Sequence, residues 1–177
     1  MSREDMIKNY KFKTKPYDHQ KLALEKSWAE KTYALFMEMG TGKSKVLVDN
    51  IAILYEKDAI RGALIVAPKG VYKNWHDIEL PVHLPDHIKH SKVLWEASQT
   101  KKKQYELDTL FDNKKELKIL IMNVEAFSTK KGLDFAHSFL NMLAGKALLG
   151  IDESTTIKNP TAKRTKNILR IGNLASY

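Results

Sequence analysis

Apolar residues along this 177-residue chain gather into five short runs: Tyr33–Met37, Ala63–Ala67, Val93–Trp95, Leu117–Val124 and Ala147–Ile151. The runs are nearly continuous rather than alternating, the pattern of parallel strands covered on both faces. Between them the spacing is helical. Leu47, Ile51 and Leu54 follow i, i+4, i+7, and Ala136, Phe139, Leu140 and Leu143 follow i, i+3, i+4, i+7. Asp18 is placed to cap an opening helix through Leu24 and Trp28. The prolines and most glycines fall between these segments, where chain breakers belong. Strands alternating with helices predict an α/β fold: a mainly parallel sheet flanked by helices on both faces, joined by right-handed crossovers. No internal repeat or low-complexity linker interrupts it.

Composition narrows the class. At 43% apolar residues, one buried core is expected over residues 1–177 as a single domain. The chain has no cysteine, which excludes a disulfide scaffold, thiolate zinc sites and cysteine catalysis. Thirty Lys and Arg against twenty-one Asp and Glu leave a net charge of +9, which points to a polyanionic partner such as nucleic acid. The runs Lys101–Lys103 and Lys114-Lys115 flank a short helical segment and read as a solvated face. The opening residues Met1–Asp5 are too polar for a secretory signal, and no apolar run reaches the ~20 residues that span a bilayer. A soluble, cytoplasmic protein with no membrane partner is expected.

The sharpest local feature is Glu38-Met39-Gly40-Thr41-Gly42-Lys43-Ser44, directly after an apolar run and directly before a helical segment. A phosphate-binding loop requires that context. Gly40 and Gly42 let backbone amides turn toward an anion across Thr41, and the helix N-terminus adds partial positive charge. Lys43 would reach the β- and γ-phosphates of ATP, and the Ser44 hydroxyl would complete a Mg²⁺ shell. Met37 stands where the eight-residue pattern has its outer glycine, so spacing alone leaves an ordinary strand-to-helix turn open. About a hundred residues on, Leu148-Leu149-Gly150-Ile151 ends in the acidic pair Asp152-Glu153. Such a pair suits water-mediated Mg²⁺ binding by Asp152 and activation of the attacking water by Glu153. The loop and the acidic strand end are far more specific together than either alone.

Four blocks then resemble the first RecA-like lobe of superfamily-two helicases, closest to Swi/Snf-type DNA translocases and their phage relatives. They are Pro16-Tyr17-Asp18-His19-Gln20, Glu38–Ser44, Ile65-Val66-Ala67-Pro68-Lys69 with Trp75, and Asp152-Glu153-Ser154-Thr155-Thr156-Ile157-Lys158-Asn159-Pro160. They span nearly the whole chain in the family's order. The family's first-lobe loop does without the outer glycine, and Lys158-Asn159-Pro160 is characteristic of the Swi/Snf branch.

The resemblance implies a RecA-like P-loop lobe of a DNA-dependent ATPase that couples ATP hydrolysis to movement on DNA. Gln20 would read the adenine edge, since an amide presents a donor and an acceptor together, and Tyr17 would stack nearby. His19 stands where the family often has tyrosine, and Ser154-Thr155 where it more usually has Ala-His. Lys69 and Gly70 would touch the nucleic-acid backbone, as would Ser128 beyond Asn123-Val124-Glu125 and the cluster Lys158, Lys163, Arg164 and Lys166. Trp75 matches a family tryptophan and reads equally as core. The family's second lobe supplies arginines for phosphoryl transfer, so this chain is expected to be a first-lobe fragment, inactive alone, in a cytoplasm or, if phage-encoded, a host cytoplasm. A non-catalytic module that regulates a complete helicase is the alternative. His83, His87 and His90 have ligand-like spacing, but Pro85 interrupts the helix needed to align them.

Overall fold

The computed structural model describes residues 3–38, 40–153 and 157–177. Four strands, β1 (Gly62–Ala67), β2 (His90–Leu94), β3 (Leu117–Asn123) and β4 (Ala147–Ile151), form one sheet in the order β2-β3-β1-β4. Every pairing is parallel. The main helices are α1 (Arg3–Asn9), α2 (Asp18–Ser27), α3 (Lys43–Glu56), α4 (Lys101–Asp108), α5 (Lys130–Met142) and α6 (Lys163–Gly172).

The strands read as unbroken apolar runs because helices cover both faces. Ala63, Ile65, Ile119 and Ile121 pack with Val48, Ile51 and Leu54 of α3 on one side. Leu64, Val66, Leu120 and Met122 pack with Phe139 and Leu140 of α5 and Ile168 and Ile171 of α6 on the other. A third cluster, Met6, Ile7, Leu24, Val46 and Ile53, fastens α1 and α2 to α3.

One expected strand is absent. Tyr33–Met37 forms no strand, with Tyr33 45% and Phe36 97% exposed. Apolar composition suggests burial, but a strand exists only where a neighbouring backbone accepts it. Here β4 bounds the sheet, and its outer edge is engaged by the chain's last residues. The Ser176 amide donates to Ala147 O (2.9 Å), and Leu149 N–H donates to Tyr177 O (2.9 Å). Leu35 and Met37 instead pack against the N-terminal cluster.

Other boundaries shift by a few residues. Strand β2 begins at His90 rather than Val93, and Trp95 N–H still reaches Ile121 O (2.9 Å). Strand β3 ends at Asn123, whose side-chain oxygen accepts from Ala126 N–H (3.0 Å) and starts the 3₁₀ turn Val124–Ser128. Asp18 is the first residue of α2 and Tyr17 its cap position. The lysines 101–103 open α4 rather than precede it.

Helix α3 buries an ion pair one turn past its start. Lys45 Nζ and Asp49 Oδ2 lie 2.7 Å apart, with side chains 6% and 2% exposed, and the Phe12 ring covers the ammonium. Asp49 Oδ1 has no hydrogen-bond partner among the described residues. Burial therefore outweighs the Lys45 charge and pushes the Asp49 carboxyl up from 3.8 to about 6. The folded state holds this proton more tightly than the unfolded chain does. Its contribution to stability is complete below the unfolded value and is lost as pH rises through the folded one. Melting curves of wild type and Asp49→Asn should show the wild type losing ground to the variant as pH rises from 3.8 to about 6, then a constant offset. Parallel curves across that range would refute the assignment.

Candidate nucleotide-binding site

The chain enters α3 through Gly40 and Gly42, both left-handed at φ 76° and 83°. A side chain at either position would be strained. Gly42 is the cap residue of the fourteen-residue α3, so the first amide N–H groups of that helix open onto the loop. Lys43 folds back across the loop, donating from Nζ to Met37 O (3.1 Å) and Glu38 O (2.9 Å). Phosphate oxygens are the acceptors that would replace these carbonyls.

Thr41 is the loop's anchor. Its hydroxyl donates to Glu38 O (2.7 Å), and its carbonyl accepts from Gln20 Nε2 and from His19 Nε2, both at 3.0 Å. A carbonyl only accepts, so Nε2 is the protonated nitrogen of His19. Gln20 is 5% exposed, and its Oε1 accepts from Tyr17 N–H (3.0 Å). Gln20 therefore joins the start of α2 to the loop, keeping one amide hydrogen and one oxygen lone pair for a further partner. Tyr17 is 70% exposed, its ring parallel to His19 at 5.8 Å between centroids and 12° between planes. His19 was legible only as a departure from the family's tyrosine. Its bond to Thr41 replaces a ring contact with a polar one.

Helix α3 rests on β4. A Cβ on Gly150 would stand 2.7 Å from Leu47 Cδ2, so the first turn of α3 lies against the strand just before Asp152. Asp152 N–H donates to Val66 O (2.8 Å), extending the β1–β4 pairing to the acid itself. Asp152 Oδ2 accepts from the Trp75 indole N–H (2.9 Å), a partner that reading Trp75 as core does not foresee. Glu153 is exposed and adopts φ 50°, an uncommon conformation for a side-chain-bearing residue. Ser44 and Asp152 offer hard oxygen donors, the set that suits Mg²⁺ shared with phosphate and water. Among the described residues no group of three or more acids or histidines forms a metal cage. His83 bonds Thr14 Oγ1 (2.7 Å), His87 pairs with Glu56, and His90 meets Ile88 O (3.0 Å), so the three histidines serve separate purposes. Met39 and Ser154-Thr155-Thr156 lie outside the described residues.

No family profile matches the sequence. It is 27% identical over 168 residues to the Arabidopsis thaliana protein named CHROMATIN REMODELING 24, a match covering 91% of this chain and 15% of that one. In three dimensions it is similar to the Sulfolobus solfataricus SWI2/SNF2 ATPase core solved with dsDNA, with a TM-score of 0.55 and 14% identity. That match covers 90% of this chain and 36% of the Sulfolobus chain. In fold, the chain is similar to the SWI2/SNF2 ATPase core.

Parallel register sends the loops after β1, β3 and β4 to one edge of the sheet. Ala67 pairs with Asn123 and Val66 with Ile151. Lys69, Gly70 and Ser128 are exposed there. Helix α6 is tied to the turn after β3 by Asn167 Nδ2 donating to Phe127 O (2.7 Å). Lys163 and Lys166 are exposed on it, Lys158 is exposed just before it, and Arg164 is half-buried. No helix among the described residues is long and apolar enough to cross a membrane.

At Gly42, a Cβ would lie 2.2 Å from Gln20 Nε2 on a backbone already at φ 83°. Gly42→Ala should cost about 1–2 kcal/mol of stability and break the Gln20–Thr41 bond. Urea denaturation checks it, and an unchanged midpoint would show that the loop relaxes freely.

Proposed function

We propose that this chain is the N-terminal ATP-binding lobe of a DNA-dependent ATPase of the Swi/Snf type, coupling ATP hydrolysis to movement on DNA. The observation that carries this reading is the contact of Leu47, five residues past Gly42, with Gly150, two residues before Asp152. In this reading the loop amides and Lys43 hold the β- and γ-phosphates, Gln20 and Tyr17 meet the base, and Ser44 and Asp152 hold Mg²⁺. The metal, when bound, neutralises charge developing on the phosphates. Glu153 takes the proton of the attacking water. The similarity to a remodelling protein and to an ATPase core bound to dsDNA supports DNA as the partner, met at the exposed edge that carries Lys69.

Turnover needs a further cation opposite the phosphates, worth roughly 10³–10⁵ in rate where an arginine supplies it. Arg3 pairs with Glu30, Arg61 adjoins the amino end of β1, and Arg164 and Arg170 lie on α6. A second lobe is therefore part of the proposal, and residues 1–177 alone should bind Mg·ADP yet hydrolyse ATP negligibly.

Calorimetry with Mg·ADP tests the reading. Lys43→Ala should abolish binding with little change in melting temperature, because a loop lysine contributes little to the core. Equal affinity in the two proteins would sink it. In a two-lobe protein carrying this chain, Glu153→Gln should nearly eliminate turnover while nucleotide still binds.

The DNA contact is tested separately. Backbone contacts carry no sequence information, so dissociation constants of ~10⁻⁴–10⁻⁶ M, alike for all sequences and steeply salt-dependent, are expected. Lys69→Glu should weaken binding uniformly and flatten the salt slope by about one unit. Fluorescence anisotropy showing no effect of this substitution would remove Lys69 from the interface.

A further inference from the structure

Asp152 is held twice by one stretch of chain. Strand β1 accepts its backbone N–H at Val66 O (2.8 Å), and nine residues later Trp75 donates its indole N–H to Oδ2 (2.9 Å). Trp75 is 2% exposed and packs within the core beside Leu80 and Ile121, so its donor is fixed in place.

Trp75 opens a π-helical turn, Trp75–Glu79, in which Leu80 N–H bonds back to Trp75 O. Pro81 follows and has no N–H with which to continue an ordinary ladder. Such widened turns mark functional positions often enough to warrant asking what this one presents. It presents Trp75 to the Asp152 carboxylate. An aspartate whose terminal torsion is broad needs a donor to keep one orientation.

We propose that Trp75 is a positioning residue for Asp152: its indole N–H engages Oδ2 and fixes the orientation in which the carboxylate would meet the divalent cation. The inference rests on the nucleotide reading above, in which Asp152 serves Mg²⁺. Trp75 itself touches neither metal nor nucleotide. Partners that orient a metal ligand typically change metal affinity by about 10–100-fold when removed, and that is the size of effect expected.

Two measurements on the 177-residue protein test it. The chain has three tryptophans, so its ¹⁵N-labelled spectrum carries three indole resonances, and Trp75→Phe identifies one of them. Asp152→Asn should shift that resonance and leave the Trp28 and Trp95 signals in place. The second measurement titrates Mg²⁺ against binding of a fluorescent ADP analogue. Trp75→Phe should need about 10–100-fold more Mg²⁺ for half-saturation and keep the metal-free ADP affinity of wild type. Asp152→Asn should lose the Mg²⁺ dependence, and adding Trp75→Phe to it should cost nothing further, whereas a merely structural tryptophan would add its effect independently. An indole resonance indifferent to Asp152→Asn, or equal Mg²⁺ requirements in wild type and Trp75→Phe, overturns the proposal while leaving the nucleotide site intact. Wild-type protein that binds no nucleotide at all overturns the parent reading and the metal role with it, and the indole shift still reports whether Trp75 holds Asp152.

Discussion

Parallel pairing of β1 with β3 on one side and β4 on the other is the constraint on which the site depends. A parallel strand cannot be reached by a tight turn, so each return crosses a face of the sheet and every strand ends at the same edge. That edge collects Pro68-Lys69-Gly70, the turn after Asn123 and the Asp152-Glu153 pair, although they are spread over nearly half the sequence. Ligand crevices of open α/β sheets lie at the carboxyl ends of their strands for this reason. The apolar interiors of β1 and β3 provide the driving force, being buried on both faces at essentially zero exposure.

Around that frame the polar groups are arranged so that almost none of the interior charge is left alone. Lys118 breaks the apolar run of β3, yet it is 4% exposed and donates to Thr109 O, Asp112 and Glu116. Its carbonyl and carboxylate partners replace the water it loses. The glycine loop follows the same logic. Its lysine is satisfied by the carbonyls of Met37 and Glu38, and its Thr41 carbonyl by Gln20 and His19. The loop is thereby held to α2.

Residues in sequence were enough to specify the class of fold and all four strands, with one apolar run in excess. Near-continuous apolar runs report two-sided burial, and glycines flanking Thr41 before Lys43 report a backbone that must turn with positive φ. Both are local properties of the chain, which is why they can be read locally. Tyr33–Met37 shows the limit of the method. Its composition is that of a strand, but strand formation is a property of two segments, and the edge of β4 is engaged elsewhere. The same holds for Trp75. Its size and helical spacing announce a core residue, correctly, while the partner of its one polar atom lies 77 positions away. Sequence determined which groups the molecule possesses and which local backbone each prefers. Tertiary structure alone decided that Gln20 and His19 meet at one carbonyl, that α3 lies on Gly150, and that an indole reaches Asp152, because each of these contacts joins groups far apart along the chain that only packing brings together.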